Sequence, residues 1–207
     1  TVFDGADKTY TGDTTVTAGG VLNIGGTNVL PDLETDGNLV VESTGTVRLF
    51  GNTQTTQGLS GGGVVENRSN GAANLVLQGD ADALAGTVFS GTIRDGSAGG
   101  TLGLTKTGDT RQIFSGTGFS YTGGTTIEDG QLRLAAGASL GSGAVTITGD
   151  GSGTVELDNT DVDYAVTLEG RGSDTAHIAN LASNNPVSGP LTLQETVDGN
   201  DPAVFTI

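Results

Sequence analysis

Short segments in which apolar and polar residues alternate recur along the whole chain. Leu75 and Leu77 are one such apolar pair, and Leu132 and Leu134 are another. Because successive side chains of a β-strand point to opposite faces, a period of two residues places both members of a pair on one buried face. Similar pairs are Leu22 and Ile24, Leu39 and Val41, Val47 and Leu49, Leu102 and Leu104, Val145 and Ile147, Val155 and Leu157, Val166 and Leu168, and Leu191 and Leu193. The pattern predicts many short strands, each with one side in a core.

The stretches between these segments are rich in Gly, Asn, Asp, Ser and Thr, as in residues 61–63, 149–153 and 198–201. Such residues supply the positive φ values and the side-chain-to-backbone hydrogen bonds that tight corners require. No stretch has a sustained helical period, and the one helix-like stretch, residues 80–85, is short. We therefore expect an all-β fold in which tight turns join the strands.

The spacing of the predicted strands leaves two architectures open. In the last third of the chain the strands follow one another at short and nearly even intervals, starting at Leu132, Val145, Val155, Val166, Ile178 and Leu191. This spacing suits both an antiparallel meander and the successive sides of a coiled solenoid. A choice between them needs evidence of another kind.

An internal repeat favours the solenoid. Residues 10–16 match residues 121–127 at an offset of 111, with five of seven positions identical. Each copy then continues into a Gly-x-Leu-x-aliphatic segment, at residues 20–24 and 130–134, and residues 45–49 are a partial third copy. A single unit of this kind cannot bury its apolar face alone, whereas stacked coils enclose one continuous core.

The second copy also carries a more specific pattern. Residues 104–108 read Leu-Thr-Lys-Thr-Gly, Phe-Ser-Gly follows at 114–116, and the repeated segment runs from 121 to 134. This sequence resembles the autotransporter-associated β-strand repeat, also called the passenger-associated transport repeat. The resemblance implies a right-handed parallel β-helix that is exported by a Gram-negative bacterium and displayed on the cell surface or outside the cell. The repeat family has no catalytic residues that the resemblance could assign to this chain.

On this basis we expect residues 1–207 to form a single β-helical domain that is a segment of a longer surface protein, with repeat copies near 10–24 and 104–134. The expected structural positions of the repeat are Tyr10, Gly12, Val16, Leu22 and Ile24 in the first copy, and Leu104, Lys106, Gly108, Tyr121, Gly123, Ile127, Gly130, Leu132 and Leu134 in the second. Residues 203–207 alternate like a strand and no polar cap follows them. An uncapped solenoid end invites strand pairing, so we expect adjoining repeats of a longer chain or other copies of this chain as partners.

The composition limits the classes of molecule that the chain can bind. The chain has 24 Asp and Glu residues against 8 Lys and Arg residues, a net charge of −16. Nucleic acids and anionic membrane surfaces are poor partners for such a chain, because both require clustered cations. No apolar run is long enough for membrane insertion. Cys is absent, which excludes disulfides and thiolate-bound metal centres.

Clustered carboxylates are the main candidates for chemistry. Asp158, Asp161 and Asp163 form the densest group, followed by the pairs at positions 80 and 82 and at positions 198 and 201. Two carboxylates at a suitable separation can cleave glycosides, and hard oxygen ligands can hold calcium. The spacing matches neither the EF-hand calcium loop nor the nine-residue calcium-binding repeat. Acidic turn residues on a solvated surface are therefore the favoured interpretation, with calcium as the one cofactor left open.

Two further residues are candidates for a catalytic role. Ser60 lies in a Gly-x-Ser-x-Gly segment, but no helical pattern follows it, as a nucleophile elbow would require. His177 is the one histidine of the chain, and we expect it at the surface or at a strand edge. We therefore predict a non-catalytic scaffold, adhesin or passenger segment with no catalytic residues, which contacts host or cell-surface glycans or proteins. A filament subunit joined end to end and a glycan-active hydrolase or lyase are the alternatives.

Overall fold

The computed structural model describes residues 1–5, 10–30, 37–79, 86–135, 137–149, 151–170, 176–182 and 184–195. Every regular element in these residues is a strand, so none of them forms a helix that could cross a membrane. The strands are β1 (Val2–Phe3), β2 (Thr14–Val16), β3 (Val21–Ile24), β4 (Leu39–Val41), β5 (Thr46–Leu49), β6 (Thr53–Thr56), β7 (Leu59–Gly61), β8 (Val64–Asn67), β9 (Ala73–Leu77), β10 (Thr87–Phe89), β11 (Thr92–Asp95), β12 (Leu102–Lys106), β13 (Arg111–Phe114), β14 (Thr125–Ile127), β15 (Gln131–Ala135), β16 (Val145–Ile147), β17 (Thr154–Asp158), β18 (Val166–Glu169), β19 (Ile178–Ala182) and β20 (Leu191–Gln194).

These strands form three sheets. Sheet A has the order β1-β3-β5-β8-β11, sheet B the order β19-β17-β15-β13-β10-β7-β4-β2, and sheet C the order β20-β18-β16-β14-β12-β9-β6. Neighbours within a sheet belong to successive coils, and the chain visits the sheets in the cycle B, A, C from β4 to β12. The result is a parallel β-solenoid of about seven turns.

Every strand pair between described residues is parallel, which excludes the antiparallel meander and confirms the predicted parallel β-helix. The coils differ in length. Leu22 pairs with Val47 and Val47 with Val65, so the second of these two coils is clearly shorter than the first. The corners and loops absorb this difference, while the strands stay in register.

The core runs along the inside of the stack. In β9, Ala73, Leu75 and Leu77 are buried while the residues between them are half-buried, as the period of two predicts. Phe89, Phe114 and Phe119 come from successive segments and pack together, with ring centroids 4.9 to 6.4 Å apart. Because each coil leaves its apolar row open above and below, only stacking removes that row from water.

The side of the solenoid that sheet A forms is regular in the N-terminal half alone. Sheet A ends at β11, and the bridges from Arg94 to Ser120 and from Val162 to Val187 are the isolated pairings found beyond it among the described residues. Loops that contain Tyr121, Leu140 and Tyr164 occupy this side in later coils. Sheet A therefore offers a regular outer surface over five strands.

Candidate functional site

The two copies of the repeat occupy different edges of the solenoid. The first copy contributes β2 to sheet B and β3 to sheet A, whereas the second contributes β14 to sheet C and β15 to sheet B. The same kind of corner is thus built between different pairs of sheets. The apolar repeat residues are buried in both copies: Val16, Leu22, Ile24, Leu104, Ile127, Leu132 and Leu134.

A tyrosine and a threonine four residues apart are hydrogen-bonded in each copy. The Tyr121 hydroxyl lies 2.6 Å from Thr125 Oγ1, and Tyr10 makes the matching contact with Thr14. The surroundings differ, because Tyr121 is fully buried while Tyr10 is 36% exposed. Burial raises the pKa of Tyr121 to about 12, although the hydrogen bond with Thr125 acts in the opposite direction. Tyr121 is therefore not placed as an open platform for a ligand.

Lys106 is buried, with only 1% of its surface exposed. It ends β12, and its ammonium group donates hydrogen bonds to the backbone oxygens of Thr107, Gly108 and Asp129, the last two at 2.7 and 3.4 Å. These oxygens belong to corners of two successive coils. The Lys106 ammonium group therefore joins the two corners and is not exposed to a substrate.

The glycines of the repeat permit close stacking of the corners. Gly108 has a φ of +65°, and a Cβ atom there would lie 1.6 Å from the backbone oxygen of Gln78 in the coil below. Only glycine meets both requirements. Gly130 also has positive φ, as does Gly12 in the first copy, whereas a Cβ at Gly123 would lie 2.5 Å from the Leu102 oxygen.

The structure brings two of the three candidate carboxylates to one depression and pairs the third with an arginine. Asp158 ends β17 and forms an ion pair with Arg133 at 2.5 Å, while Asp161 and Asp163 are exposed. The last two lie on the rim of an open depression of about 310 Å³, together with Asn159 and Thr160. Among the described residues, no three His, Asp or Glu side chains are grouped to hold a metal ion. Calcium binding here stays a prediction.

Ser60 and His177, the two further catalytic candidates, lie within or directly beside strands of the solenoid wall. Ser60 is the middle residue of β7, and another strand, β8, follows it. His177 directly precedes β19 and is fully buried, with Nε2 2.9 Å from the backbone oxygen of Glu169. It is therefore at a strand edge and not at the surface. The acidic pairs at 80 and 82 and at 198 and 201, the helix-like stretch 80–85 and the strand expected at 203–207 lie outside the described residues.

Sequence reasoning missed a cluster of charges on the outer surface of sheet A. Glu66 of β8 pairs in register with Arg48 of β5 and Arg94 of β11, and Arg68 lies nearby. A signal was present, since β5, β8 and β11 read Thr-Val-Arg, Val-Val-Glu and Thr-Ile-Arg, with a charge in the third position of each. The strand register is needed to show that these third positions form one row.

A second charge cluster lies on the outer surface of sheet B. Arg111 is bonded to Glu156 at 2.8 Å, and Arg133 to Asp158 at 2.5 Å. Two cations thus face two carboxylates, and the cluster is electrically balanced. Sheets A and B therefore differ in the charge that remains after pairing.

Comparisons with known proteins agree with this architecture. A sequence profile of the passenger-associated-transport-repeat family matches residues 1–24 and 104–134. The adhesin BmaC autotransporter of Brucella suis biovar 1 (strain 1330) is 27% identical to this chain over 190 residues, which cover 86% of the chain and 5% of that protein. No solved structure matches the chain. Two segments of this chain therefore carry the passenger-associated transport repeat, which confirms the resemblance to autotransporter passengers.

Proposed function

We propose that this chain is a non-catalytic scaffold segment of an adhesin-type passenger displayed on the surface of a Gram-negative bacterium. The observation that carries the proposal is that both repeat segments lie within one parallel stack of coils. The similarity to an autotransporter adhesin supports the location, and the chain spans about 5% of that relative's length. The product of such a segment is its shape: backbone ladders and a narrow core hold an extended surface away from the cell.

The surroundings of the candidate catalytic groups support a role without catalysis. His177 is buried with a backbone oxygen as its partner, and Asp158 is paired with Arg133. A hydrolase would need two carboxylates that face one substrate bond. Purified chain should release no reducing sugar from acidic or neutral polysaccharides, and release that an Asp161→Ala/Asp163→Ala variant abolishes would contradict the proposal.

Surface display can be tested on the bacterium that carries the gene. Antibodies raised against this chain should label intact cells, and external protease should remove the label. An antibody against a cytoplasmic protein, which should label permeabilised cells alone, controls for cell integrity. Labelling by the first antibody only after permeabilisation would contradict the proposal.

An exposed apolar row on β20 favours a partner that covers it. Leu191 and Leu193 of β20 pair with the buried Val166 and Leu168 of β18, yet both are exposed. Adjoining coils of a longer chain would cover such a row, and end-to-end pairing with another copy is the second candidate. Sedimentation velocity at rising concentration separates the two, since a filament subunit forms growing species and a segment of one long chain does not.

A further inference from the structure

The outer surface of sheet A gathers cations on a strongly acidic chain. The chain has 8 Lys and Arg residues against 24 Asp and Glu residues. Three of the eight, Arg48, Arg68 and Arg94, surround the single carboxylate of Glu66. We call these four residues, together with Phe50, the arginine face.

Glu66 orients the guanidinium groups. Its Oε1 lies 3.0 Å from Arg48 Nε and 3.8 Å from Arg68 Nε, and its Oε2 lies 2.8 Å from Arg94 Nη2. Burial acts to raise the pKa of Glu66, but the hydrogen bonds and charges of the arginines outweigh it and hold the pKa below its usual value. The carboxylate is therefore ionised at neutral pH, and three positive charges against one negative charge leave an excess of two.

The guanidinium groups keep donors for a further anion. Within the described residues, Arg48 donates through Nε alone, and Arg68 uses Nη1 for Ser97. The side chains of Arg48, Arg68 and Arg94 are 34%, 37% and 48% exposed. Asp95, which follows Arg94, forms no ion pair with these arginines and is hydrogen-bonded to Leu102 and Thr122, but its negative charge reduces the positive excess at that end of the surface. A planar guanidinium with free Nη groups binds carboxylate and sulfate through two parallel hydrogen bonds.

The surroundings of these arginines suit an extended polymer. Beside the charged row runs an uncharged row of half-buried residues, Val21, Thr46, Val64 and Thr92. Phe50 follows β5 and is 43% exposed. Neighbouring parallel strands lie about 4.8 Å apart, so the backbones of Arg48 and Arg94 are separated by about 9.6 Å along the stack. Positive charges at this spacing on a flat surface can pair with anionic groups that repeat along an extended polymer.

We propose that the arginine face binds an anionic polysaccharide through its sulfate or carboxylate groups. The arginines take the anions, the threonines bond to hydroxyls, and the Phe50 ring packs on an apolar sugar face. A folded protein is a poorer fit, because a stable interface needs an apolar core of several residues and this surface exposes one aromatic ring. The inference rests on the proposed function and deepens it, since it gives the scaffold a ligand.

The full 207-residue chain can be tested by titration calorimetry with dextran sulfate, polygalacturonate and neutral dextran. We expect binding to dextran sulfate, polygalacturonate or both, none to dextran, and an affinity that falls with added salt. The two anionic polymers identify whether sulfate or carboxylate is preferred. Failure of both to bind at low ionic strength would overturn the inference.

Matched variants separate the arginine face from general electrostatics. Arg48→Gln/Arg94→Gln and Arg111→Gln/Arg133→Gln change the net charge equally, on sheets A and B. We expect the first to weaken binding by about tenfold or more, which corresponds to about 1.4 kcal/mol, and the second by less than about twofold. Equal losses would overturn the inference.

Two single variants guard against misfolding. Arg68→Gln leaves Glu66 paired with two arginines and should still weaken binding. Glu66→Gln removes one negative charge, while its amide oxygen can still accept a hydrogen bond from an arginine, so this variant should tighten binding. If Glu66→Gln does not tighten binding, the role of Glu66 is purely structural and the charge argument fails.

Stronger binding to polyglutamate than to either polysaccharide would identify an acidic polypeptide as the ligand and would overturn the proposal of a polysaccharide ligand. Antibody labelling of intact cells tests display independently, so the two proposals can fail separately.

Discussion

The side-chain amide of Gln112 is hydrogen-bonded to both backbone groups of Leu59, which lies 53 positions earlier in the chain. Leu59 N–H donates to Gln112 Oε1 at 3.0 Å, and Gln112 Nε2 donates to the Leu59 oxygen at 2.9 Å. Between them lies Thr87, which pairs in register with Gln112 and is also bonded to its amide. The strands β10 and β7 pair through a single residue. The buried Gln112 amide takes the place of a backbone peptide group there and continues the hydrogen-bond ladder of sheet B across two coils.

Replacing Gln112 with leucine should destabilise the protein by about 2–4 kcal/mol, because the buried N–H and C=O of Leu59 lose their partners. Equilibrium urea unfolding measures the change. Gln131→Leu is the matched control, since Gln131 lies on the next strand of sheet B and is half-buried on the outer face; its effect should stay within about 0.5 kcal/mol. Equal effects of the two variants would show that the amide bridge contributes nothing.

Lys106→Met should lower the free energy of unfolding by about 2 kcal/mol, since methionine keeps the apolar stem of the side chain but the backbone oxygens of Gly108 and Asp129 lose a charged donor. Thermal unfolding followed by circular dichroism provides the measurement. A variant as stable as the parent would mean that water or other groups satisfy these oxygens equally well.

Thr44 tests the cost of positive φ at a corner. Its φ is +68°, at the position that Gly19 (φ +72°) occupies in the neighbouring coil. Thr44→Ala and Thr44→Gly both remove the hydrogen bond that Gly19 N–H donates to Thr44 Oγ1, but glycine alone relieves the strained backbone. We expect the glycine variant to be more stable than the alanine variant by about 1 kcal/mol.

The control for this comparison is Thr46, which lies in β5 with extended backbone. There the order should reverse, and alanine should be more stable than glycine by about 0.5–1 kcal/mol. The same order at both positions would contradict the argument from φ. Urea unfolding of the four variants under one set of conditions is sufficient.

Alkaline solution should destabilise the fold between about pH 10 and pH 12. The pKa of Tyr121 rises from about 10 in the unfolded chain to about 12 in the folded one, so the unfolded state loses its proton first. The stability that this difference contributes is fully present below pH 10 and is lost as pH rises through 12, by up to about 1.4 kcal/mol per pH unit. Burial also raises the pKa of Tyr164, which adds to the slope.

Urea unfolding at pH 9, 10 and 11 measures this slope. Tyr121→Phe should be less stable than the parent at pH 9, because it loses the bond to Thr125, and its slope should be shallower. Tyr10→Phe makes the same change at the matching position of the first copy. Identical slopes for the parent and Tyr121→Phe would contradict the prediction.

The repeat shows how far sequence reasoning reaches. Residues 10–24 and 121–134 were recognisable as copies, and in both the tyrosine bonds to the threonine four residues later. Their placement on different edges of the solenoid was not predictable. The coil that joins Val47 to its partner Val65 is much shorter than the coil that joins Leu75 to Leu104, so the offset between the copies does not correspond to a whole number of coils.

The charge clusters show the same limit. The third-position charges of β5, β8 and β11 are visible in the sequence, but the step along the chain from Arg48 to Glu66 is much shorter than the step from Glu66 to Arg94. Uneven separations of this kind carry no period that a sequence pattern could reveal. The buried position of His177 was likewise open, because a lone histidine beside a strand fits both a surface and an edge.

The amino-acid sequence by itself determined the local structure: strands wherever apolar residues alternate, corners wherever Gly, Asn and Asp gather, and stacking because no single coil can bury its own apolar row. Only the tertiary structure decided which residues of different coils meet, as Gln112 meets Leu59 and Glu66 meets its arginines. The physical reason is that alternation and turn chemistry act over a few neighbouring residues, whereas the register between coils depends on how much chain each loop takes up.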